Sequence, residues 1–465
     1  MFMAFGARAL AAAACGLAVV AAGLTLTTPA QQATVIIHPG AMHLKRESLR
    51  APLTTQQCQR SFGIDCYNPA QLQQAYNLTS LYSGGVTGKG VTIVIVDPFG
   101  SPTIASDLRT FDSAESIPNP PSLRIIRPAG RVPAFNPANS AMTGWASETT
   151  LDVEYAHTIA PGANILLVET PGSGNAQGVS MTQVTSAEKY VIAHGLGNVI
   201  SQSFVASEQA IGNAGIQSLR GAYIDAYDHH VTVVSGSGDT GAAGFESNGS
   251  SYYSYAVAGW PASDPLVTAV GGTRLNLDAS GNRNGADTAW NDTYSSTANQ
   301  LVNGNNGPNP LAGGGGKSVI FGRPSYQNTV SAVTGAHRGI PDISMSAACT
   351  GAVNVYQSFP GQSAGWYALC GTSEATPLFA GIVALADQVA GHSLGLINPA
   401  LYKLAAEHAP GIVNVASGNN TVSFRQDGRS HTVRGYRASS GYSLATGLGT
   451  VNAAAFVPEL ARLAG

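Results

Sequence analysis

Val91-Thr92-Ile93-Val94-Ile95-Val96, closed by Asp97, is an almost unbroken β-branched run, and its reading decides the fold. A strand with one wet face alternates apolar and polar residues, whereas one apolar on both sides belongs in a parallel sheet covered on both faces. Similar runs recur at 164–169, 198–204, 231–235, 267–270 and 353–356. Helical stretches lie between them, such as 181–194 and 216–229, with an earlier helix at 69–76. This alternation predicts an α/β fold with a largely parallel central sheet, right-handed crossovers and helices on both faces. No repeat, heptad pattern or long linker divides the chain, so a single domain is expected.

Of the 465 residues only 11% are charged, against about 25% in an average soluble protein, which implies a neutral surface. The formal net charge of -3 and the lack of any Lys/Arg-rich stretch exclude nucleic acid as a partner. Residues 1–33 read as a secretory signal peptide: Arg8, an apolar run from Ala9 to Leu26, then small residues around Thr28-Pro29-Ala30 and Ala33. A short segment, 34–64, follows, and then the main domain, 65–465. No later segment is apolar enough to span a bilayer, so no membrane association is expected after cleavage, and the product is a secreted, extracellular monomer. Cys15 falls in the signal, leaving Cys58, Cys66, Cys349 and Cys370. Their short intervals suggest disulfides Cys58–Cys66 and Cys349–Cys370, with buried free thiols as the alternative. The run Gly313 to Gly316 reads as a loop offering either mobility or close backbone approach.

Gly371-Thr372-Ser373-Glu374-Ala375-Thr376-Pro377 is a small-residue turn feeding an apolar stretch, Leu378 to Leu385. Ser373 at a helix entrance has backbone N–H groups and the positive end of the dipole nearby, as a nucleophile requires. The plainer reading is an N-cap serine. A nucleophile needs a base, and no Gly-His-Gly-Thr segment supplies one. His157 lies five residues from Asp152, off the helical face that pairs Asp152 with Glu148, and reads as packing or capping.

Glu148 and Asp152 are four apart within Ser147 to His157 and share a helix face. Buried together they would share a proton and titrate as a pair, leaving one able to act as base; on a surface they would be a solvated acidic face. Asp239 stands in Val233-Val234-Ser235-Gly236-Ser237-Gly238-Asp239, a strand ending in a glycine turn, where parallel sheets place their sites. The competing role is holding the turn. Asp97, without a partner histidine, is assigned a structural role.

Together these three segments resemble the sedolisin family of serine-carboxyl peptidases, which have a subtilisin-like fold, from about Tyr67 to the C-terminus. Asn198 to Ser203, Pro261 to Pro265, Val270 to Thr273, Arg323 to Gln327, Pro341 to Ser344 and Thr446 to Gly449 extend the likeness. The resemblance implies Ser373 as nucleophile, Glu148 as general base, Asp152 orienting it, and a protonated Asp239 in the oxyanion hole. It further implies hydrolysis of proteins or peptides, by an endopeptidase, at acidic pH. Two departures stand out. The family's calcium-binding aspartates fall on Asn414 and Ser443, so no cofactor or metal is expected. Only a few tens of residues separate the signal from the main domain, which puts activation through a long propeptide in doubt. The rival readings are a catalytically weak secreted peptide-binding protein on the same fold and a conventional subtilisin-like protease. A metalloprotease is set aside, since no His-Glu-x-x-His occurs.

Overall fold

The apolar run at 91–97 becomes β1 (Thr92–Pro98), flanked on both sides by parallel partners. The structure, a computed structural model, describes residues 49–172 and 179–465, together with 1, 37 and 42–44. The expected signal peptide, 1–33, lies outside the described residues apart from Met1. The other central strands are β2 (Leu123–Ile126), β3 (Asn164–Thr170), β4 (Val199–Gln202), β5 (Thr232–Gly236), β6 (Thr268–Arg274) and β7 (Ile343–Ser346). Seven parallel strands lie in the order β2-β3-β1-β4-β5-β6-β7, and the short strand Thr288–Ala289 pairs antiparallel with the end of β6.

Both faces of this sheet are buried, which is why the strand sequences do not alternate. Ile93, Ile95, Ile165 and Leu167 pack on one face with Leu151, Ile159 and Leu378. Val94, Val96, Leu166 and Val168 pack on the other with Val184, Val191 and Tyr223. The expected largely parallel sheet with helices on both faces is therefore what forms. From β1 the chain builds outward to β3 and β2, and from β4 the opposite way. The switch point lies between β1 and β4, and the carboxyl ends of such strands are where parallel sheets place their sites.

Two local expectations are corrected, and a third is resolved between its alternatives. The run at 353–356 lies in Gly351–Gln357, which is not a central strand. It belongs to a separate sheet with Gly365–Cys370, Asp65–Tyr67 and Met42–His43; an apolar run records burial, not which sheet buries it. The stretch 216–229 falls into two helices, Asn213–Leu219 and Gly221–Asp228, although the i−4 bonds from Arg220 N and Ile224 N carry across the break. Gly313 to Gly315 is a buried loop, and its glycines serve close approach. Gly314 N–H donates to Gly238 O, Ser237 Oγ donates to Gly314 O at 2.8 Å, and a Cβ on Gly314 would sit 2.0 Å from Ser237 O.

Both expected disulfides, Cys58–Cys66 and Cys349–Cys370, are present. The second ends at the residue before Gly371 and ties the turn that holds Ser373 to the segment after β7.

Candidate active site

Helix Ser140–Ile159 starts where Asn139 caps the N–H groups of Ala141 and Met142. Every residue from Trp145 to Ile159 is buried, because the helix is enclosed by the central sheet, the second sheet and helix Thr372–Ala390. At the crossing of the two helices Gly381 has no side chain to spare: a Cβ there would lie 2.6 Å from Ile159 Cβ. Glu148 and Asp152 are consequently fully buried, one turn apart.

Asp152 Oδ1 accepts a hydrogen bond from Ser203 Oγ at 2.7 Å. A third carboxyl, Asp97, completes a cluster at the carboxyl end of β1. Burial pushes the Asp152 carboxyl well above the ordinary range, the charges of Asp97 and Glu148 push it further, and the Ser203 hydroxyl opposes them. Asp97 is raised to about 7, chiefly by burial. Among the described residues neither Asp97 nor Asp152 forms an ion pair with a cation. Like charges at close range in a dry site cannot all ionise.

Ser373 is the second residue of helix Thr372–Ala390. The turn that delivers it requires Gly371, whose φ of 123° few side chains tolerate. Ser373 is 1% exposed and its Oγ donates to Ser203 O at 3.4 Å. Four residues on, Pro377 has no N–H to give the Ser373 carbonyl.

Asp239 follows β5 by three residues. Its Oδ1 accepts from Thr372 N at 2.6 Å and Thr372 Oγ1 at 2.8 Å. Burial raises its carboxyl to about 7 against the pull of those two donors. It stands beside the residue that precedes Ser373, so the helix entrance and a protonatable carboxyl adjoin one another.

Ser203 links the parts, its carbonyl facing Ser373 Oγ and its hydroxyl holding Asp152. In the sequence alone Ser203 stands out only as part of the Asn198 to Ser203 stretch, and Asp97 has a structural role. The signal for both was position: each sits at the carboxyl end of one of the two strands that flank the switch point. His157 lies elsewhere, with Nε2 2.9 Å from Pro118 O and 3.4 Å from Asp112, and burial lowers it to about 4.

Asn414 Nδ2 donates to Ser440 Oγ at 3.0 Å, and Ser443 Oγ pairs with Thr446 Oγ1 at 2.9 Å. These side chains are neutral and occupied with one another, so they do not fit a calcium ion, which favours carboxylate oxygens. Among the described residues no group of three or more His, Cys, Asp or Glu side chains is placed to hold a metal, and no helix is long and apolar enough to cross a membrane.

The Subtilase family profile matches residues 134–401, more than half of the chain, and the chain belongs to that family. Within it, the chain falls with the sedolisins. Kumamolisin from Bacillus sp. (strain MN-32) is 30% identical over 391 residues, covering 83% of this chain and 62% of its own length. Sedolisin from Pseudomonas sp. (strain 101) is 28% identical, covering 83% and 60%, and human tripeptidyl-peptidase 1 is 26% identical, covering 67% and 51%. The solved structure of Pseudomonas sedolisin, a serine-carboxyl proteinase complexed with two molecules of pseudo-iodotyrostatin, matches with a TM-score of 0.68 at 25% identity, over 86% of this chain and 100% of that one. The chain thus spans less than two thirds of the full length of kumamolisin, sedolisin and tripeptidyl-peptidase 1.

Proposed function

We propose that this chain is a serine-carboxyl peptidase that hydrolyses peptide bonds in proteins or peptides at acidic pH. The observation that carries the reading is the juxtaposition through Ser203 of a helix-entrance serine with a buried carboxyl cluster. In the mechanism, Ser373 Oγ attacks the substrate carbonyl carbon while its proton passes to Glu148. Asp152 and Asp97 keep the remaining protons of the cluster, so that Glu148 holds the single charge a base needs. The tetrahedral oxyanion is stabilised by the Ser373 N–H and by a hydrogen bond donated from protonated Asp239. Glu148 returns its proton to the leaving amine as the C–N bond breaks. Water, activated by the same carboxylate, then hydrolyses the acyl-enzyme on Ser373.

The pH direction follows from Asp239. It can donate only while protonated, so activity is present below its value of about 7 and is lost as pH rises through it. No cofactor is invoked, and the loop around Asn414 and Ser443 works without a metal. We assign internal cleavage, by an exported monomer. The test is hydrolysis of an unfolded protein and of N-terminally blocked peptides across acid to alkaline pH, with and without chelator, beside Ser373→Ala. An acid optimum, insensitivity to chelator and loss of activity in Ser373→Ala are expected. A neutral or alkaline optimum, or unchanged hydrolysis by Ser373→Ala, would sink the mechanism. Strict release of tripeptides from free N-termini would replace the endopeptidase assignment.

A further inference from the structure

Glu374 follows the nucleophile directly and is fully buried, and neither carboxyl oxygen makes a hydrogen bond of good geometry. The capping geometry open to a glutamate at this third helical position is not used, because the Gly371 N–H is given to Ala347 O. Glu374 instead points into the core. The Ser346 hydroxyl at the end of β7 faces it, itself without a well-formed bond, and Tyr67, Tyr76 and Tyr155 surround it from three other elements. These phenols are all pushed up by burial and stay neutral. The charges that act on these phenols are the Arg283–Asp287 pair at Tyr76, Asp65 and Arg274 at Tyr67, and Glu154 and Glu115 at Tyr155. On the other side of the helix entrance stand Asp239, Glu148 and Asp152. No cation among the described residues pairs with Glu374.

A carboxylate in such a place would be a buried, unpaired charge, so the native side chain is the neutral acid. Its position one residue from Ser373 makes the proton matter for chemistry. Like charges about 8 Å apart at an effective dielectric of about 20 repel by an amount equal to roughly thirtyfold in rate.

We propose that Glu374 is a positioning residue for Ser373: only its neutral form lets the nucleophile turn carry an oxyanion, and loss of its proton closes the site. This rests on the serine-carboxyl reading and adds to it a second proton requirement beside that of Asp239. Burial, opposed only by Ser346, holds the group well above the ordinary carboxylate range, in keeping with that role.

The test is the pH profile of kcat/KM for the wild type, Glu374→Gln and Glu374→Met, each normalised to its own acid plateau. Both variants should lose one proton from the alkaline limb, so that across it the wild type falls by up to roughly thirtyfold more than either variant. Superposable limbs would overturn the proposal. So would failure of both neutral variants to fold at acid pH, since the neutral form is held to be the native one. If the wild type shows no acid proteolysis, the serine-carboxyl reading fails first. Glu374 is then read from thermal melts of Ser373→Ala with and without Glu374→Gln. The Gln protein should gain relative stability as pH rises from 4 to 7, and parallel curves would refute the buried neutral acid.

Discussion

Replacing Ser203 with Ala removes one oxygen atom from the centre of the site and leaves the backbone in place. That oxygen donates to Asp152 Oδ1 at 2.7 Å between two buried residues. With Asp152 holding its proton, a hydrogen bond between neutral groups contributes about 0.5–1.5 kcal/mol, and the loss falls on the proposed orienting partner of Glu148. The expected drop in kcat/KM is therefore roughly twofold to tenfold. The hydroxyl also holds the Asp152 carboxyl down against burial and its neighbours, so its removal should raise the cluster further. The acid limb of the profile, below which the base is protonated, should then move to higher pH. The assay is kcat/KM against pH for both proteins on one blocked peptide, with a thermal melt at the acid optimum to exclude unfolding. A Ser203→Ala enzyme within twofold of the wild type at every pH would refute the coupling drawn through this residue.

Three further outcomes are expected. Asp239→Asn keeps the acceptor for Thr372 and donates without a titrating proton, so its activity should persist above pH 7 where the wild type fails; Asp239→Ala should lower kcat by about 10²–10³-fold, the usual loss for one oxyanion donor, as read by steady-state kinetics. Thermal stability should be greatest near pH 4 and fall toward neutrality. The sign is set by Asp97 and Asp239, raised from 3.8 to about 7: below the unfolded value their contribution is complete, and as pH rises toward 7 each group can withdraw up to about 1.4 kcal/mol per unit, which calorimetric melts across pH would register. Gly381→Ala should destabilise the fold by roughly 1–2 kcal/mol, since the clash with Ile159 exceeds the preference of a helix for alanine; an unchanged melting temperature would show that the two helices can part freely.

The sheet was legible in the sequence because burial on both faces leaves an unmistakable mark, the β-branched runs at 91–96, 164–169 and 231–235. The same mark misled at 353–356, since Val353 and Val355 are as buried in the second sheet as Val94 is in the first. The acid pair was readable from its spacing of four, and Asp239 from its place after a strand. What could not be read was how segments far apart in the chain meet. Ser203 gains its importance from a carbonyl directed at residue 373 and a hydroxyl directed at residue 152, and neither direction has a local signature. Asp97 was judged by the histidine it lacks, whereas its neighbourhood is set by the Asp152 carboxyl one layer away. Glu374 carries no local signal either, because only the packed core of Tyr67, Tyr76 and Tyr155 makes a glutamate there unusual.

The central claim is that Ser373 forms an acyl-enzyme with carboxyl groups as its only proton carriers. Rapid acid quench of the protein turning over a peptide ester near pH 4, followed by intact-mass and peptide mapping, reads this directly. The expected result is an acyl adduct confined to the peptide containing Ser373, abolished in Ser373→Ala and strongly reduced in Glu148→Gln. Turnover without an adduct, or an adduct undiminished in Glu148→Gln, would contradict the account.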